Sequence, residues 1–187
     1  MTVTTRKEGV VVPPLSEAVI ARSAAALRKL VQLGDVLRFP VLQMYEMLWV
    51  IDPQARFEVV EDHLMGDDDA RTYPDRALIL LRQSVYDGAA REEGRARFTM
   101  CHELGHLGLH RGVSFGRINP SAPPRIFQNS EWQADVFAAH LMMPHSLLSA
   151  YGHPMAVMAV MADFGVSYAA AETQLRKMKK GVTKLAS

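Results

Sequence analysis

Apolar positions along the chain fall into runs of different period, and each run predicts an element. Between Ser16 and Leu33 the residues Val19, Ile20, Ala24, Leu27, Leu30 and Val31 recur near helical spacing. Ser16 is of the type that caps a helix start and Gly34 of the type that stops one, so one helix is expected there. From Pro40 to Trp49 the apolar residues are denser (Val41, Leu42, Met44, Tyr45, Met47, Leu48) and follow a proline suited to a first helical position. This predicts a second, largely buried helix. Alternation takes over from Arg56 to Glu61, where Phe57 and Val59 flank Glu58, and Ala77 to Leu81 is a continuous apolar run of strand length after the turn-like Tyr73-Pro74-Asp75. Two strands of a small sheet follow from these runs. The stretch Glu61-Asp62-His63-Leu64-Met65-Gly66-Asp67-Asp68-Asp69 between them is rich in carboxylates but lacks the spacing and terminal glutamate of a calcium loop, so it reads as a solvated loop.

Residues 111 to 130 carry Gly112, Gly116, Pro120, Pro123 and Pro124 without periodicity and predict a long loop between two helical segments. Beyond Pro144, Met155 to Asp163 reads as a short apolar helix, Gly165-Val166-Ser167 as a turn and Tyr168 to Lys180 as a second helix, an arrangement shaped like a helix-turn-helix. The most apolar stretch, Phe137 to Phe164, is broken by His140, Pro144, His145, His153 and Pro154, whereas a membrane span needs about 20 apolar residues in a row. No membrane partner is expected. A length of 187 residues, 49% hydrophobic and 22% charged, suits a folded domain. The net charge of +1 gives no global field to recruit nucleic acid. One cysteine excludes an internal disulfide, and the first residues lack an apolar signal core, so a reducing cytoplasm is the expected location.

The chemistry concentrates in Phe98-Thr99-Met100-Cys101-His102-Glu103-Leu104-Gly105-His106-Leu107. Two histidines four apart share one helical face, so both imidazoles reach one metal ion, while Glu103, turned about 100° away, can hold a water against it. This is the HExxH spacing of zinc hydrolases. Such a site takes three protein ligands, so a third must come from elsewhere. His110 continues the stripe, but eight residues along a helix span about 12 Å, too far to share one zinc, and its removal is expected to leave metal retention intact. The metzincin pattern fails because Leu109 and Gly112 stand where its glycine and third histidine belong. Glu131, in Asn129-Ser130-Glu131-Trp132-Gln133-Ala134-Asp135, is the better candidate. Asp135, one turn later, then accepts a hydrogen bond from the far nitrogen of a ligating histidine and orients its ring. The alternative for Glu131 and Asp135 is an ordinary exposed carboxylate pair on an amphipathic helix. Cys101 reads as packing; His145, Tyr151 and His153 are of the types that stabilise an oxyanion, but none is singled out for that role and each reads first as an ordinary surface or core residue.

The segment from Phe98 to His110, followed by Glu131-Trp132-Gln133-Ala134-Asp135-Val136-Phe137-Ala138-Ala139-His140-Leu141-Met142-Met143-Pro144, resembles the ImmA/IrrE-type zinc metallopeptidases, and the similarity extends from about residue 76 to 180. The resemblance implies a gluzincin-like site with His102, His106 and Glu131 as ligands of Zn2+ and Glu103 as catalytic base. It also implies a cytoplasmic enzyme that cleaves helix-turn-helix repressors and so releases phage, mobile-element or stress genes. Two positions depart from the family's habit: Cys101, where alanine is common, and Gln174, where arginine is common.

The resulting expectation is an α+β, zincin-like metallopeptidase domain over residues 1–150, with a small sheet and active-site helices, and a short helical region over 151–187 packed on it. The competing reading is a DNA-binding or repressor-docking module without proteolysis, carried by Arg176, Lys177, Lys179, Lys180 and Lys184. Against it stands the reading of those cations as a solvated helix end that complements the helix dipole.

Overall fold

The structure, a computed structural model, describes residues 9–113, 125–151 and 156–185, the side chains of 180–185 excepted. Helix α1 (Glu17–Leu30) starts at Ser16, whose hydroxyl accepts from the Val19 amide at 3.3 Å. It stops before the predicted Gly34. Gln32 adopts φ 57°, and the Gln32 and Leu33 amides donate back to the Lys29 and Arg28 carbonyls at 3.1 and 2.8 Å. Those two reverse bonds satisfy the last carbonyls in the Schellman manner with a glutamine in the left-handed position that glycine favours, and residue type alone therefore misplaces the stop. The Pro40–Trp49 run is also different from its expectation. It forms two short helices, α2 (Val41–Glu46) and α3 (Leu48–Ile51), separated at Met47; Val41, Met44, Tyr45 and Leu48 are buried as expected, while Met47 and Trp49 are exposed.

The sheet has three strands, β1 (Arg56–Val60), β2 (Ala70–Tyr73) and β3 (Leu78–Arg82), in the order β1-β3-β2. β1 pairs with β3 in parallel and β2 pairs with β3 antiparallel. Strand β2, only four residues long, is not visible in the hydrophobic pattern. It matters because it lies beside the next long helix. The acidic loop before it is tied down by arginines: Asp68 pairs with Arg71, and Asp69 with Arg95 at 3.2 Å. Asp62 caps the start of α4 (Gln83–Ala90), accepting from the Ser84 amide at 2.9 Å.

Helices α5 (Gly94–Leu109) and α6 (Ser130–Met142) form the centre of the molecule. They approach closely because Gly105 of α5 faces the backbone of Ala134, where an added Cβ would come within 3.1 Å of the Ala134 Cα. Met100, Cys101 and Leu104 on α5, with Phe137, Ala138 and Leu141 on α6, share one buried cluster with Ile20 and Ala24 of α1 and Ile79 and Leu81 of β3. Arg28, buried at the end of α1, donates to the Leu141 carbonyl at 2.7 Å and so fixes α1 on α6. After α7 (His145–Leu148), α8 (Ala156–Phe164) and α9 (Tyr168–Leu185) add Val160, Phe164, Ala171 and Leu175 to the same cluster. Gly165, at φ 63°, makes the turn between them. Most of the predicted long loop, residues 114–124, lies outside the described residues, as do Met155 and His153. No helix among the described residues is long and apolar enough to cross a membrane.

Candidate metal centre

Helix α5 brings His102 and His106 to the same face, one turn apart, and α6 lays Glu131 across from them. The two histidine Nε2 atoms are 2.9 Å apart. Glu131 Oε2 lies 3.3 Å from His102 Nε2, and Oε1 lies 3.2 Å from His106 Nε2. Among the described residues these three form the group whose donor atoms all fall within 4.8 Å of one another. A tetrahedral ion with bonds of about 2.0–2.1 Å needs ligand atoms about 3.3–3.4 Å apart, so the donor set fits such an ion with the histidine pair slightly compressed.

The charges around the group also call for a cation. Glu103, Glu131 and Asp135 stand about two imidazoles, and Asp135 Oδ1 is 2.9 Å from His102 Nδ1. Without a metal, burial pushes His102 down, but hydrogen bonds to Asp135 and Glu131 more than reverse this and raise it to about 10. Burial likewise pushes Glu131 up, yet the two histidines hold it below the ordinary carboxylate range. The carboxylates around the two imidazoles therefore favour positive charge at this point.

Glu103 is buried on the inner side of α5 and accepts a 2.5 Å hydrogen bond at Oε2 from the hydroxyl of Thr72 on β2. The cleft over the site has a volume of about 490 Å³ and is lined by His102, Glu103, His106 and Glu131 together with Thr72 and Arg95. A second cavity of about 450 Å³ adjoins it and shares Thr72, His106 and Glu131.

A model of the IrrE N-terminal-like domain, Peptidase M78, matches residues 59–176. The chain belongs to this family. Its membership gives the chain a metallopeptidase-type function and a zincin-like α+β domain, and the match crosses residue 150 into α9. A search of curated proteins returned no match.

In this M78 domain the structure brings together His102, His106, Glu131, Glu103 and Asp135, all named from spacing or resemblance. The other residues singled out in the sequence lie away from the ligand group or outside the described residues. His145 packs against His140, with ring centroids 4.6 Å apart, and the Tyr151 hydroxyl donates to Asp163 at 2.6 Å. Neither lines the cleft, so neither is placed to stabilise an oxyanion there, and His153 lies outside the described residues. His110 is not in the ligand group but is not idle either: its Nδ1 lies 3.0 Å from His106 Nδ1. Burial and the facing His106 push His110 down to about 4. Sequence reasoning missed Thr72 altogether, since it lies on the unrecognised β2 and nothing in its neighbourhood marks it.

Proposed function

We propose that the chain is a zinc-dependent endopeptidase acting in the cytoplasm on a helix-turn-helix transcriptional repressor. The observation that carries the peptidase part is the convergence of two imidazole nitrogens and one carboxylate beside a buried glutamate in a cleft. Nitrogen-rich donor sets of this kind suit zinc better than calcium or magnesium, which prefer oxygen. Both cavities reach the ligand group, sharing Thr72, His106 and Glu131, and together they offer room for an extended peptide segment. The repressor assignment is supported by the family resemblance of the two site segments.

Zinc, when bound, lowers the pKa of a water to about 7 and polarises a carbonyl. The remaining work falls to the chain. Glu103, with Oε2 engaged by Thr72, uses Oε1 to take a proton from the attacking water as its oxygen bonds to the scissile carbonyl carbon. As the C–N bond breaks, the same oxygen returns that proton to the departing amine. Thr72 limits the carboxylate's rotation, and Asp135 holds His102 in one orientation. The DNA-binding alternative draws on the cations of α9, but Lys177 already donates to Glu17 at 3.1 Å.

The test is co-expression with a candidate helix-turn-helix repressor, taken from the genes that neighbour this one. Wild type is expected to hold about one zinc per chain and to cut that repressor. Glu103→Gln should keep zinc and fold while cleavage falls about 10²–10⁴-fold, toward the upper end because one residue serves both proton transfers. Wild-type cleavage by a zinc-loaded Glu103→Gln variant would end the mechanism.

A further inference from the structure

The histidine stripe of α5 has a third member whose place the metal group does not explain. His110 caps the end of α5 and is 1% exposed, and Gln133 on α6 is 0% exposed. His110 uses both ring nitrogens: Nδ1 faces His106 Nδ1 at 3.0 Å, and Nε2 faces Gln133 Oε1 at 3.1 Å. The direction of each bond follows from the far end. The Gln133 amide nitrogen donates to the carbonyls of Pro13 at 2.9 Å and Phe127 at 2.8 Å. A flipped amide would set its oxygen against two carbonyl oxygens, so Oε1 must be the atom that meets His110.

An amide oxygen only accepts, which makes His110 Nε2 the protonated nitrogen. The lone pair of a neutral His110 then sits on Nδ1, and the bond between the rings requires His106 Nδ1 to donate. That leaves the lone pair of a neutral His106 on Nε2, the atom 3.2 Å from Glu131 Oε1. A doubly protonated His110 would force His106 Nδ1 to accept and would put its proton on Nε2, where a metal must bind. A buried imidazole whose partners leave one arrangement open has its tautomer chosen by them.

We propose that Gln133 and His110 form an uncharged relay that fixes the Nδ1–H tautomer of His106 and turns its Nε2 toward the metal; the relay rests on the zinc reading above. His102 gets the same service from Asp135, a carboxylate. The relay performs it for His106 without adding negative charge beside Glu103, Glu131 and Asp135. Its anchor lies partly outside the family match: Pro13 belongs to the segment in which Val12 donates to the Gln128 carbonyl at 2.9 Å and Val11 bridges to Asn129. His110 and Gln133 are thus positioning residues, and the expectation that removing His110 leaves metal retention intact is replaced.

The test uses the zinc-loaded protein. His110→Phe preserves a buried ring and removes the acceptor, whereas His110→Asn puts an amide oxygen where Nδ1 stood. Chelator competition should show zinc held about 10–100-fold more weakly by His110→Phe, with most of the loss recovered in His110→Asn. Nitrogen NMR of wild type should show His110 protonated at Nε2 and bare at Nδ1, a reading that does not depend on whether a variant folds. Undiminished affinity in a folded His110→Phe, or His110 protonated at Nδ1, overturns the relay alone. A wild-type chain that takes up no zinc overturns the metal reading and the relay's purpose with it.

Discussion

The distance between α5 and α6 controls the metal group, and Gly105 sets that distance. A methyl group at Gly105 would lie 3.1 Å from the Ala134 Cα, 3.2 Å from its carbonyl oxygen and 3.2 Å from the Phe137 Cβ. Ordinary carbon contacts are about 3.5–4.0 Å, and the obstruction is mostly backbone, which cannot rotate aside. In Gly105→Ala, α6 must retreat by a few tenths of an ångström, while a metal site tolerates only about 0.2 Å in its ligand distances. Glu131, one turn before Ala134, moves with α6, whereas His102 and His106 stay on α5. Zinc affinity is therefore expected to fall about tenfold or more. Overpacking costs about 1–3 kcal/mol and the better helix propensity of alanine offsets about 1 kcal/mol, leaving a net loss of about 0–2 kcal/mol. At about 2–4 °C per kcal/mol for a chain of this size, Tm drops by up to about 8 °C. Gly108→Ala is the control: it lies on the same helix, with nothing within 4 Å of the added Cβ. It should gain up to about 1 kcal/mol and leave zinc binding unchanged. Thermal melts and chelator competition on both variants decide the matter. If Gly105→Ala behaves as Gly108→Ala does in both assays, close helix contact does not set the site.

Asp135→Ala should keep zinc stoichiometry but lower affinity about 10–100-fold, measured by the same competition, since His102 loses the acceptor at its Nδ1. Gln32→Gly should raise Tm by about 2–4 °C, because a non-glycine residue in the left-handed region costs about 1 kcal/mol, and an unchanged melt would mean that the Schellman turn carries no strain. Glu17 is held down to about 2 by its hydrogen bond to His140 against an opposing effect of burial, with Lys177 adding to the lowering. Because its folded value lies below its ordinary one, the stabilisation is complete above about pH 4.5 and is lost as pH falls toward 2. The Glu17 side chain is 39% exposed, so solvent screening limits the effect to about 1 kcal/mol. Urea unfolding of Glu17→Gln against wild type should show that gap at pH 7 and none near pH 2.

Local chemistry was legible in the sequence. The i, i+4 spacing of His102 and His106 fixes their common face whenever the segment is helical, and the capping type of Asn129 places Glu131 and Asp135 in the first turns of α6, where the Asn129 side chain accepts from Trp132 at 2.9 Å. The period-two and continuous apolar runs likewise marked β1 and β3. The tertiary structure decided everything that depends on which partner stands opposite. Strand β2 is four residues of mixed character and exists because β3 supplies its hydrogen bonds, and only that pairing carries Thr72 to Glu103. The stripe that made His110 look like a spare ligand says nothing of Gln133, 23 residues away, or of the Pro13 carbonyl, 120 residues from Gln133. A helix period records which side chains share a face, but the proton on His106 is set by atoms from two other segments, and their meeting is a property of the packed core.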